Sequence, residues 1–119
     1  MNANNIAIIT GRIATDITVR GSDEKPVVST LIITQDGYYD QSGQWIEKTS
    51  AIPVTFFGPA AKRAKAIVKG DEWTLTGKMQ SDQYTNKDGV DVRTMELQLQ
   101  DPSMLQIRRN KKHTAKKAA

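Results

Sequence analysis

Aromatic and basic side chains carry most of the chemistry this sequence offers. Seven aromatics are spread along 119 residues: Tyr38, Tyr39, Trp45, Phe56, Phe57, Trp73 and Tyr84. Tyr38, Tyr39, Trp45 and Tyr84 lie in or beside polar, turn-rich stretches, where a ring has less reason to be buried. Arg12, Arg20, Lys69 and Lys78 are distributed through the same span. Exposed rings among cations suit a polymer of stacked, anionic units: an unpaired nucleic-acid strand stacks each base for about 1–3 kcal/mol, largely regardless of sequence. Other chemistries are poorly served. His113 is the only histidine and sits in a basic terminal stretch, where a general base would not be held in place. Without cysteine there is no disulfide framework and no thiolate metal site. The carboxylates, as in Asp23-Glu24 and Asp71-Glu72, read as turn and surface charges. Gly11-Arg12, Gly58-Pro59 and Gly77-Lys78 are isolated and form no glycine-rich phosphate loop. Neither an enzyme nor a cofactor is indicated.

The charge is unevenly placed. Six of the 17 Lys and Arg fall in residues 108–119, which hold no acid. The other 11 face all 13 Asp and Glu in residues 1–107, for a net of −2. Arg108, Arg109, Lys111 and Lys112, with Lys116 and Lys117, therefore set the sign of the whole chain. A block of like charge repels itself and is expected to be a solvated, disordered arm suited to a polyanion. The expected organisation is one domain over 1–107 and a basic tail over 108–119. No apolar run approaches the roughly 20 residues of a membrane helix, and no secretion signal is visible. The expected address is the cytoplasm, in the company of the nucleoid, with no membrane partner.

The elements that must position these residues are mostly strands. Ile6–Thr10 leads through Gly11 into an alternation of Ile13, Thr15, Ile17 and Val19. Val27–Thr34 is a β-branched run. Trp73, Leu75, Gly77 and Met79 alternate with polar residues, as do Met95, Leu97 and Leu99. Trp73, in phase with Leu75 and Met79, belongs to the core; of Phe56 and Phe57, neighbours in a strand, one must point in and the other out. Gly11 predicts a bulge or bend. Asp36-Gly37 and Ser42-Gly43 mark turns, and Asn86-Lys87-Asp88-Gly89 predicts a hairpin. Pro59–Lys69 is the one helical segment, with Pro59 in its first turn and Gly70 at its C-terminal cap.

Three strands, one short helix and two or three more strands exclude a parallel α/β sheet, which needs several helices. The order fits an all-β, five-stranded Greek-key barrel of the oligonucleotide-binding type (OB-fold), with its helix between strands three and four.

The run Asn5-Ile6-Ala7-Ile8-Ile9-Thr10-Gly11-Arg12-Ile13, with Asp16 and Val19-Arg20, resembles the opening strand of bacterial single-stranded-DNA-binding proteins. The likeness continues through Gly43–Thr49, Val54–Gly58, Ala61–Gly70, Thr76-Gly77-Lys78, Tyr84, Asp88-Gly89 and Arg93–Glu96, covering about residues 5–107 in collinear order. The resemblance implies an OB-fold that coats single strands as a homo-oligomer, a tetramer first and a dimer second. It implies stacking by Phe57, Tyr84 and Tyr38 (or Tyr39, since the loop aligns loosely); the hairpin aromatic Trp45 is expected, on its own position, to stack beside them. Arg12, Arg20, Lys69, Lys78 and the tail would meet phosphates.

The chain departs from the family pattern in three places. Ala51-Ile52-Pro53 stands where the family commonly has an aromatic, His and Arg. Gln80–Gln83 replaces basic residues, and a basic arm replaces a tail with an acidic tip. Single-stranded DNA is the expected partner, in replication, recombination or repair, including that of a plasmid, phage or other mobile element. RNA stays open, because stacking does not inspect the 2′-hydroxyl. The rival reading is an accessory OB-fold module, similar to primosomal proteins, that works through protein contacts.

Overall fold

The computed structural model describes residues 5–109, the side chains of Met104, Arg108 and Arg109 excepted. Strand β1 (Ala7–Ile13) is followed by the short β2 (Thr18–Gly21), the long β3 (Pro26–Tyr39) and β4 (Trp45–Phe57). Helix α1 (Gly58–Ala64) leads to β5 (Glu72–Thr85) and β6 (Asp91–Leu99). A single 3-10 turn (Pro102–Met104) then precedes β7 (Leu105–Arg109). Neighbouring strands run β1-β3-β4-β6-β5, and β5 pairs back with β1, so five strands close into a barrel. All these pairings are antiparallel except β4 with β6. This is the OB-fold barrel, with α1 between its third and fourth strands; β2 lies against β3, and β7 against β5.

Alternation decides which side chains fill the barrel. Ile13, Val28, Ile32, Val54, Phe56, Leu75, Leu97 and Leu99 are fully enclosed, with Trp73 beside them. As expected, Phe56 is buried and its neighbour Phe57 is not. Closure needs strands to cross closely, and two glycines permit it. A Cβ on Gly11 would lie 2.3 Å from the Ile33 carbonyl oxygen, and one on Gly77 the same distance from that of Gln98. Gly11 thus marks close backbone contact within β1. The expected run to Val19 is broken, ending at Ile13 and resuming as β2.

The helix is shorter than its composition predicts. It stops at Ala64, although helix-compatible residues continue to Lys69. Beyond it Ile67 turns into the core, and the Val68 N–H donates to the Asp71 carboxylate at 2.9 Å. Asp71 is not the surface charge its position implied. It is fully buried and also accepts from Trp73 Nε1 at 3.2 Å. Ala60, Ala61 and Ala64 are small enough to let α1 seat against the barrel. Gly70, at φ +94°, ends this connection rather than the helix, and its N–H donates to the Ile13 carbonyl.

Two further expectations are corrected. Asp36-Gly37 makes no turn; both residues are paired within β3, opposite Lys48 and Glu47. The turn lies at Asp40–Gln44, where the Asp40 carboxylate accepts from Ser42 and Gln44. The tail does not begin at 108, because β7 carries the backbone of Arg108 and Arg109 alongside β5. Lys111, Lys112 and His113 lie outside the described residues.

Candidate nucleic-acid interface

Pairing register sorts the site residues onto faces, because alternate residues of a strand share a side and cross-strand partners share it too. The barrel interior takes Val28, Ile32, Val54 and Phe56, so Val27, Ser29, Leu31, Ala51, Thr55 and Phe57 point outward. On this outer face Arg20 stands opposite Val27, and Val27 opposite Phe57. Arg20, Val27 and Phe57 thus form one row across β2, β3 and β4. The next row runs Thr18, Ser29, Thr55, Gln98 and Lys78 across β2, β3, β4, β6 and β5. Arg20 Nη2 donates to Ser29 Oγ at 3.1 Å, tying the two rows together. Thr55 Oγ1 donates to Glu96 at 2.6 Å, which places an acid within the same surface.

Arg12 occupies a third outward row, with Ile33 and Ala51. Ala51 therefore sits on this face with no ring to offer. Pro53 beside it is accommodated as an edge residue, since β6 joins β4 only from Val54 onward. The Leu31 carbonyl opposite Pro53 accepts from the Ala14 N–H at 2.8 Å, so the ladder at this rung faces away from β4 and loses nothing to the proline.

Past the barrel, β3 and β4 continue as a projecting hairpin. Tyr39 and Trp45 are opposite each other, and their rings meet edge to face at 5.0 Å between centroids. The Trp45 indole also lies over Gly37, where an added Cβ would fall 2.5 Å from the ring. Glycine is required there because the indole takes the space, which explains a turn-like dipeptide inside a strand. By register Tyr39 and Trp45 share the outward side with Phe57, whereas Tyr38 falls on the opposite one. There Lys48 Nζ stands 5.8 Å from the Tyr38 ring centroid.

The second projecting hairpin joins β5 and β6. Tyr84 lies opposite Val92 and shares the outward side with Lys78. Its turn is held by Asn86, whose Oδ1 accepts from Asp88 and Val90, with Gly89 at φ +78°. Asn5 steadies the start of this arm by exchanging two hydrogen bonds with the Met79 backbone. Tyr38, Trp45 and Tyr84 expose about half their surface, and Tyr39 71%.

Of the expected residues, Arg12, Arg20, Lys78, Trp45, Phe57 and Tyr84 all fall on the outer surface of the sheet. Tyr38 does not, and Lys69 lies in the loop after α1. Tyr39 fits that surface better than Tyr38, a choice that only the register makes. Electrostatics at the hairpin tip follow from the turn: hydrogen bonds from the Ser42 hydroxyl and then the Gln44 backbone hold the Asp40 carboxyl below its usual range. Among the described residues no cluster of His, Cys, Asp or Glu could hold a metal ion, and no helix is long and apolar enough to cross a membrane.

A closed five-strand barrel whose outward rows carry rings and cations is an OB-fold with aromatic and basic side chains on its outer surface. The chain belongs to the single-strand binding protein family, whose model matches residues 4–107. It is 30% identical over 87 residues to a mitochondrial single-stranded DNA-binding protein of Drosophila melanogaster, covering 71% of this chain and 60% of that protein. It is 28% identical over 107 residues to a single-stranded DNA-binding protein of Neisseria meningitidis, covering 88% of this chain and 61% of that protein. The chain thus spans less than two thirds of either relative. The fold matches that of the Plasmodium falciparum SSB in complex with ssDNA at a TM-score of 0.78, with 13% identity over 91% of this chain and 97% of that one. A deletion mutant of the single-stranded DNA binding protein from Thermus aquaticus matches at 0.73, with 18% identity over 91% of this chain and 52% of that one.

Proposed function

We propose that this chain binds single-stranded DNA without strong sequence preference, as a non-catalytic coat for exposed strands. The observation that carries this reading is the outward row of Arg20, Val27 and Phe57, with Lys78, Tyr84 and Trp45 on the same outer surface. Bases stack on Phe57, Tyr84 and Trp45 while Arg20 and Lys78 meet phosphates. Tyr39 extends the Trp45 platform, and Tyr38 with Lys48 offers a second contact on the far side of the arm. Lys69 and the basic residues from Arg108 to Lys112 add attraction at longer range. Such a coat serves replication, recombination or repair, of a chromosome or a mobile element.

Self-association belongs to the same reading. Ile8 on the first strand and Ile6 just before it are well exposed, and a second copy of the chain is the occupant that would cover them, in a tetramer or a dimer. Ala51 and Glu96 on the outward face favour the rival, a module that works through protein contacts.

Trp45 is half exposed on the binding side and Trp73 is buried, so intrinsic fluorescence reports the site. Titration with poly-dT, poly-rU and a duplex should give a saturable change with poly-dT, a weaker or equal one with poly-rU, and little with duplex. No response to either single strand would favour the protein-contact module.

A further inference from the structure

The ladder between β1 and β3 is only two rungs long, Arg12 with Ile33 and Ile13 with Ile32. Continued, it would pair Gly11 with Thr34 and Thr10 with Gln35. Instead β3 swings away into its hairpin, and a cleft of about 360 Å³ opens in the fork. That volume lies within the usual range for small-molecule sites, about 300–1,000 Å³. Its lining includes Gly11, Ile33 and Ala14, which offer little polarity, and Arg12, Glu72 and Gln35, which offer a great deal. Arg12 and Glu72 are cross-strand partners on the outward face, and Glu72 is paired on its other side with Arg109 of β7.

The cleft lies on the path of the strand placed above. Ile33 stands opposite Ala51, six positions before Phe57 on the same side of β4, so the cleft is roughly 20 Å from Phe57 along the strand direction. Its charges choose between the two parts of a nucleotide. A phosphate entering it would lose to Glu72 much of what it gains from Arg12. A neutral base would not, and its edge can use a cation and a carboxylate together. Adenine and cytosine each present one amino group to a carboxylate, and thymine one ring N–H. Guanine alone presents two adjacent donors, N1–H and the N2 amine, matching both carboxylate oxygens. It also offers O6 and N7, the pair that arginine recognises bidentately.

We propose that the fork between β1 and β3 is a nucleobase pocket that takes a guanine from the bound strand, with Glu72 accepting from N1–H and N2 and Arg12 donating to O6 and N7. Arg12 then reads a base edge instead of a phosphate. The inference rests on the single-strand reading above, and adds to it a preference at one position.

The test uses the full chain and competition between a dT oligomer and the same oligomer carrying one central dG, dC or dA. The dG oligomer should bind about five- to tenfold more tightly than dT, within what one bidentate base contact provides. Glu72→Gln and Arg12→Ala should each return the dG-to-dT ratio towards one. Equal affinity for all four oligomers, with dT binding intact, overturns the pocket and leaves the single-strand reading standing. Preference for dC or dA overturns the guanine assignment. Failure to bind any of the oligomers overturns the reading beneath it. The four-base comparison is made on the unaltered protein, so it holds even if a variant folds poorly.

Discussion

The barrel and the β3–β4 arm are built from the same two strands but obey different constraints. Within the barrel each of these strands has further partners, β1 and β2 for β3 and β6 for β4, and every second side chain is enclosed. Beyond Ile33 and before Ala51 the two strands pair only with each other. There rings project on both sides, and local contacts such as Tyr39 against Trp45 set their positions. The difference separates two jobs. Barrel residues hold Phe57, Arg20 and Lys78 in fixed rows, while the arm carries an aromatic pair held by its own local contacts. Stability and binding should therefore be separable by mutation.

The largest expected effect is on stability and belongs to the barrel. Leu97→Ala, inside it, should lower the unfolding free energy by about 2–5 kcal/mol, read by denaturant titration. Trp45→Ala in the arm should cost far less; equal losses would erase the distinction. Next comes the arm's own packing. Gly37→Ala drives a methyl into the Trp45 ring and the Ile46 carbonyl, so poly-dT affinity should fall by about 1 kcal/mol, with a shifted tryptophan emission.

Much of the barrel was legible in the sequence, and the arm was not. Alternation from Trp73 to Met79 marked the core side because a barrel strand has one wet and one dry face. The Phe56 and Phe57 pair split for the same reason. Asn86–Gly89 acted as a turn because its side chain and glycine determine the turn locally. Asp36-Gly37 carried the same local signal, but its glycine answers to Trp45 across the strand, a non-local demand. The end of α1 was hidden for a related reason: Asp71 captures the Val68 N–H, and burial of Ile67 outweighs helix propensity. Tyr38 and Tyr39 could not be told apart without the register, since one residue of slip exchanges the faces. The fork that creates the cleft arises where two strands diverge, which no local pattern encodes.

A smaller effect tests the tail against the barrel face. Truncation after Arg109 spares β7 and removes four lysines, Lys111, Lys112, Lys116 and Lys117. At about 0.7 per phosphate neutralised, the slope of log affinity against log salt should flatten by at most about 3. Binding at high salt should change little. An unchanged slope would make the tail a solvated appendage.

The smallest effect concerns the arm's tip. Because Asp40 titrates below its usual value of 3.8, its anionic turn is favoured in the folded chain above that pH. This contribution is lost as pH falls through the lowered value. Acidification below about 3.8 should therefore loosen the tip, and Asp40→Asn should blunt the pH dependence of Trp45 emission in that range.

The central claim is that single-stranded DNA lies on the outward rows, with Phe57 on the barrel and Tyr84 on the second arm as its stacking residues. The most direct measurement is the affinity of Phe57→Ala and Tyr84→Ala for a dT oligomer at high salt, where ionic attraction is suppressed and stacking dominates. Each variant should fold, by circular dichroism, and each should lose about 1–3 kcal/mol of binding. Two folded variants that bind as tightly as the unaltered protein would contradict the account.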